Sequence, residues 1–196
     1  MKKNFSRALA GAGLAAAAAF TLSACVDAPP SSNADDGEQN ASDIMFVEMM
    51  IPHHEQAVEM SQLILAKDGV NPQVAALAEQ IRAAQDPEIV VMEQWLDDWE
   101  SSSMTGMEGM EGMDHGGLGG MDGMMSDEQM AELESADGAT GSTLFLELMI
   151  EHHEGAVDMA EDVISDGRKS EVRTLAEQII VSQNAEIATM RELLAR

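Results

Sequence analysis

The chain has one cysteine, no tyrosine, two tryptophans and four phenylalanines among its 196 residues. A lone thiol cannot close an intrachain disulfide, so no covalent staple holds the fold. Basic residues are scarce as well: 10 Lys and Arg stand against 36 Asp and Glu, a formal net charge of −26. That deficit excludes nucleic acid as a partner, because little here could neutralise a phosphate backbone. It also argues against charge-driven adsorption to anionic lipid. Long apolar runs are missing except between Ala8 and Leu22, and that run is shorter than the roughly 20 residues of a membrane-spanning helix. What is abundant is methionine, 17 residues, beside five histidines in a chain that is 45% hydrophobic. An acidic disordered tail would not carry so much apolar surface, and the length suffices for one domain with a core.

The N-terminus has the pattern of an export signal. Lys2, Lys3 and Arg7 precede the apolar run, and Leu22-Ser23-Ala24-Cys25 closes it. That ending resembles the bacterial lipoprotein box. The resemblance implies a signal peptide over residues 1–24 and Cys25 as a lipid-bearing first residue. The protein would then be anchored to the cell membrane, outside the cytoplasm. The alternative is an ordinary cleaved signal. Residues 25–41, rich in Pro, Ser, Asn and Asp, read as a disordered tether. Thiols oxidise outside the cytoplasm, so thioethers would be the more durable sulfur ligands there.

The remainder contains one unit twice. FVEMMIPHHEQAVEM (Phe46 to Met60) recurs as FLELMIEHHEGAVDM (Phe145 to Met159), and LAEQI recurs at Leu77 and Leu175. The match continues through Gln85/Gln183, Glu88/Glu186, Ile89/Ile187 and Met92/Met190. Each unit reads as two helices around a short turn, hence an antiparallel hairpin. The hairpins span 43–100 and 142–194, with a crossover over 101–141, inside one domain of residues 42–196. Asn71 and Pro72 begin the second helix, Ser142 caps the third, and a short helix begins at Asp127 after a Ser126–Gln129 capping box. Pro52 and Pro87 should bend their helices. The expected fold is all-α, a four-helix bundle.

Helical phase puts polar residues on the apolar stripes. On the first helix Phe46, Met50, Ala57 and Ile64 share a face. His53 lies near its centre and His54 nearer its edge; the second copy repeats this with His152 and His153. On the second helix Leu77, Ile81, Met92 and Trp95 share a face, with Glu88 among them and Glu186 in the equivalent place. A carboxylate there must be paired, protonated or metal-bound. Counting outward from the turns sets His53 opposite Glu88 and His152 opposite Glu186. Met49, Met60, Met92, Met149, Met159 and Met190 fall a turn or two away. The expected constellation is two His and two Glu near the bundle axis, with methionine beside them. It serves either metal ligation or mutual satisfaction of His–Glu core pairs, and His54 and His153 could merely cover the stripe edge.

The duplicated MMIPHHEQAVEM and LMIEHHEGAVDM, each followed by LAEQI and a Gln…Glu-Ile…Met stretch, resemble the bacterial family named domain of unknown function 305. The resemblance covers roughly residues 42–196. It implies a ferritin-like bundle, export or membrane attachment, and copper binding in some members. Carried over, the motif falls on His53, His54 and Met60, and on His152, His153 and Met159. Glu151 stands where the first copy has Pro52, so the two sites need not be equivalent.

The crossover reads MTGMEGMEGMDHGGLGGMDGMM from Met104. Its glycine content opposes a packed helix, so Met107, Met110 and Met113 are not core filler. With His115 they could offer soft donors to Cu(I), whereas the histidine and carboxylates suit Cu(II). A low-complexity linker is the plainer reading. The functional expectation is a non-enzymatic, extracytoplasmic copper-binding protein that buffers, sequesters or hands over Cu(I) or Cu(II). A copper donor or acceptor protein would be its partner, and the oligomeric state is open. Two rivals remain: a lipid-anchored scaffold that binds no metal, and a ferritin-like metal oxidase. The oxidase needs Glu-x-x-His on two helices, and the chain has Glu88-Ile89-Val90-Val91 and Glu186-Ile187-Ala188-Thr189 instead.

Overall fold

The computed structural model describes residues 38–104 and 123–196. Residues 1–24, where a signal sequence is expected, Cys25 and most of the expected tether, and Met107, Met110, Met113 and His115 lie outside the described residues. Within them the chain forms α1 (Ala41–Leu65), α2 (Pro72–Met104), α3 (Asp127–Ser135), α4 (Gly138–Asp166) and α5 (Ser170–Leu194). No helix among the described residues is long and apolar enough to cross a membrane.

Local chemistry sets the helix ends. Asn40 caps α1 by accepting the Asp43 N–H at 3.0 Å, and the Asp43 carboxylate accepts the Asn40 N–H at 2.8 Å. Past the end of α1, Gly69 takes φ +80°, where a side chain would be strained. Asn71 then accepts the Gln73 N–H at 2.9 Å, and Pro72 is the first residue of α2. Both α1 and α2 run on through their internal prolines, Pro52 and Pro87. The short helix begins at Asp127 with the expected Ser126–Gln129 box. Ser142 does not cap α4, contrary to expectation. Asp137 does so, accepting from the Thr140 backbone, and the helix starts four residues earlier, at Gly138. Ser142 is buried instead, accepting the Asn71 N–H at 3.0 Å and donating to the Gly138 carbonyl at 2.6 Å. The rule for capping residues misplaced it because its hydroxyl serves the neighbouring hairpin.

α1 packs on α2 and α4 packs on α5. The hairpins meet mainly through α1 and α4, and α2 and α5 barely touch. α1 and α4 are antiparallel. The start of α1 meets the end of α4, where Asn40 Nδ2 donates to the Asp166 carbonyl at 2.7 Å. The buried Asp43 carboxylate also accepts the Arg168 and Lys169 N–H groups at 3.0 and 3.2 Å. At the far end Gly138 lies against the α1–α2 turn so closely that a Cβ would sit 2.1 Å from the Asp68 carbonyl oxygen. α3 covers this end, burying Leu133 and, just before it, Met125. The fold is thus all-α and ferritin-like, two contacting hairpins with one short helix against them.

The apolar core is divided. One cluster, with Ile64, Leu77, Ile81, Phe145 and Met149, fills the α1–α2 turn end. The other, with Phe46, Val47, Val163, Val172 and Ile179, fills the α4–α5 turn end. On α1 and α4 the paired histidines fall between the residues of the two clusters. The bundle has a polar waist between two greasy ends.

Candidate metal centre

The four paired histidines, His53, His54, His152 and His153, are all fully buried. α1 and α4 supply them in antiparallel directions, so the His-His step of one repeat faces that of the other. The rings of His53 and His152 lie 3.7 Å apart between centroids, tilted by 40°, and those of His152 and His153 lie 6.3 Å apart. The duplicated hairpins therefore do meet through imidazole.

The carboxylates hold different partners from those expected. Glu88 Oε2 is 2.8 Å from His54 Nε2, and Glu186 Oε2 is 2.7 Å from His153 Nε2. His53 and His152 were the anticipated partners. Adjacent helical residues point about 100° apart, so one histidine of each pair faces across the α1–α4 interface. The other turns toward its own hairpin mate. Glu88 and Glu186 keep 20% and 18% of their side-chain surface in solvent. They form the rim of the waist, not its axis. His54 and His153, assigned to the stripe edge by phase, are as deeply buried as their neighbours.

The bond to glutamate fixes the chemistry of these rings. An ionised carboxylate only accepts, so Nε2 of His54 and of His153 carries the proton and donates it. In the neutral ring Nδ1 is then the lone-pair nitrogen. Nδ1 of both residues is buried without a hydrogen-bond partner. A carboxylate on one ring nitrogen with a bare lone pair on the other is how proteins orient a metal-binding imidazole. Neither ring nitrogen of His152 reaches a partner at hydrogen-bond geometry either. Burial first, then the imidazoles of His53, His153 and His54, hold His152 well below the usual histidine range; the nearby His53 backbone offsets this in part. His152 is therefore neutral at pH 7, the form a metal needs. Among the described residues no three His, Cys, Asp or Glu side chains stand together as a ready-made ligand cluster. The donors fit a soft or borderline cation, and a third ligand would come from a thioether or a small ring movement.

The predicted methionines separate into two groups. Met60, Met92, Met149 and Met190 are fully buried in the two apolar clusters. Met49 and Met159, expected near the bundle axis, line a surface groove of about 290 Å³ between α1 and α4 instead. Met45, which sequence reasoning missed, joins them there and is 59% exposed. Met60 and Met159 are repeat mates, so the two halves differ in how they place this sulfur. Gln85 and Gln183 were also missed as site residues. Each is 2% exposed, and neither carboxamide has a hydrogen-bond partner. Their only signal was one polar residue recurring at the same place in both apolar stripes.

Residues 43–194 match the family described as Domain of unknown function (DUF305). The fold is similar to a DUF305 fragment from Deinococcus radiodurans, with 31% identity, TM-score 0.67, and 82% of this chain and 99% of that chain covered. A DUF305 protein from Streptomyces coelicolor is similar at 33% identity and TM-score 0.65, covering 79% and 91% of the two chains. CopM in its Cu(II)-bound form is similar at 33% identity and TM-score 0.62, covering 78% and 95%. CopM has also been solved in Cu(I)-bound, silver-bound and apo forms. No curated protein matches the chain.

Proposed function

The chain belongs to the DUF305 family, and from that premise we propose that it binds copper ions outside the cytoplasm, as a buffer or handover protein. One observation carries the reading. Two buried imidazoles, His54 and His153, are each held at Nε2 by a glutamate and present an unpartnered Nδ1 inside the bundle. The similarity to CopM, a protein solved with copper bound, supports copper as the cargo.

In this reading His53, His54, His152 and His153 supply nitrogen to the ion, and Glu88 and Glu186 orient the outer pair. Met60, Met92, Met149 and Met190 flank the centre, and Met49 and Met159 offer thioethers at the surface groove. Met107, Met110, Met113 and His115 add soft donors in the crossover, where sulfur favours Cu(I). The net charge of −26 raises local cation concentration without choosing among cations, so selectivity rests on nitrogen and sulfur. Cys25 would fix the protein to the membrane by lipid. Di-iron oxidase chemistry does not fit this reading, because α2 and α5 carry Val91 and Thr189 where a di-iron site needs histidine.

The test is equilibrium titration of the exported protein with Cu(II) and, anaerobically, with Cu(I) against a chromogenic chelator. The proposal expects tight binding that falls at least a hundredfold when all four paired histidines become glutamine in a variant that remains helical. Equal binding by parent and variant would remove the waist as the site. No binding by either would favour a scaffold whose His–Glu pairs only set register.

A further inference from the structure

Imidazoles with no exposed surface can take up an ion only through an opening. α2 and α5 are the neighbouring helices that barely touch, and a groove of about 410 Å³ lies between them. Glu88, Trp95, Glu171, Thr174, Leu175 and Gln178 are among its walls. Glu88 is thus at once a wall of an open groove and the hydrogen-bond partner of buried His54, at 2.8 Å. Glu186, which holds His153 at 2.7 Å and keeps 18% of its side chain in solvent, is not among the walls of this groove. The two groove carboxylates differ: Glu171 is paired with Lys169 at 3.4 Å, whereas Glu88 keeps one oxygen beyond the one bonded to His54. Val91, Trp95 and Leu175 make the walls apolar. A low-dielectric wall focuses the field of the carboxylate at its base.

We infer that this α2–α5 groove is the passage by which a metal cation reaches the buried imidazoles, with Glu88 receiving it at the groove wall; because Glu88 bonds the Nε2–H of His54, the cation passes that ring edge to reach the unpartnered Nδ1. The inference rests on the copper-binding reading and adds a direction to it. It makes the two repeats unequal in kinetics although their His–Glu pairs match. Glu88 has Pro87 before it, and Pro87 also lines the groove; Glu186 has Ala185.

The experiment is stopped-flow loading of the full exported chain with Cu(II), read by quenching of Trp95 and Trp99, which stack at 6.3 Å beside the groove. Thr174→Phe with Gln178→Phe fills the passage from exposed positions without touching the histidines. The inference expects loading and release both to slow at least tenfold, with the equilibrium Kd within twofold of the parent. Ala139→Phe with Thr143→Phe, in the groove at the α1–α2 turn end, should leave both rates within twofold. Glu88→Gln should slow loading several-fold more than Glu186→Gln. Parent rates in the groove-filled protein, equal slowing by the control pair, or equal effects of the two glutamine variants would each overturn the passage. A parent chain that binds no copper at equilibrium would overturn this and the copper reading together. A parent that binds normally, with rates indifferent to the groove, would overturn the passage alone.

Discussion

Glu88 and Glu186 each satisfy a buried Nε2–H that has no other partner. Removing one by Glu→Ala strands that donor inside the protein, at a cost of about 1–3 kcal/mol. It also frees the ring to rotate, which lowers metal affinity by about 10- to 100-fold where imidazoles lose such support. Denaturant melts and copper titrations on each single variant check both numbers. Gln85 and Gln183 carry the opposite expectation in the metal-free protein. Each buries an amide without a partner, so Gln→Leu at either position should raise stability by about 1 kcal/mol or more. A loss would show that the amide is satisfied in solution. His152 adds a pH term. Its depressed folded value means that the unfolded chain binds a proton the folded chain refuses. Stability is therefore full above the unfolded histidine value near 6.5 and falls with acidification below it, toward the lowered folded value. The slope this site adds is about 1.4 kcal/mol per pH unit, and urea midpoints of the metal-free protein should lose it in His152→Gln.

Elements were more legible than contacts. The repeat and the 3.6-residue period predict four long helices, the Asn71–Pro72 start and the short helix at Asp127, because each depends on local sequence. Ser142 was misread because its hydroxyl serves Asn71, a residue 71 positions away, and no local pattern encodes that. The His54–Glu88 pairing was misread for a related reason. Counting along two helices gives height but not rotation, and rotation selects which of two adjacent histidines faces the partner helix. Rotation also carried Met49 and Met159 outward. Two joints hold the elements together and yield a sharp expectation. Asp43 accepts backbone N–H groups from Asn40, Arg168 and Lys169 while fully buried. Asp43→Ala orphans several donors and should cost about 2–4 kcal/mol, seen as a lowered thermal midpoint. Gly138→Ala meets the Asp68 carbonyl oxygen at 2.1 Å, and backbone must move, so it should destabilise the α1–α2 turn end at least as much.

At the scale of the molecule, two apolar clusters bracket a layer of imidazole, glutamine and carboxylate. A bundle built only for stability would fill that waist with leucine, since buried polar layers weaken a core relative to apolar packing. Duplication supplies two copies of a His-His step, and antiparallel packing of α1 on α4 brings them face to face. The acidic exterior then draws cations toward nitrogen donors that its carboxylates surround but do not imitate. The most direct measurement is pulsed EPR of the Cu(II)-loaded protein. Imidazole ligation at the waist predicts nitrogen couplings of copper-bound imidazole, abolished in the four-histidine variant and kept when His115 is replaced. Couplings that survive loss of the four paired histidines, or an oxygen-only spectrum in the parent, would contradict it.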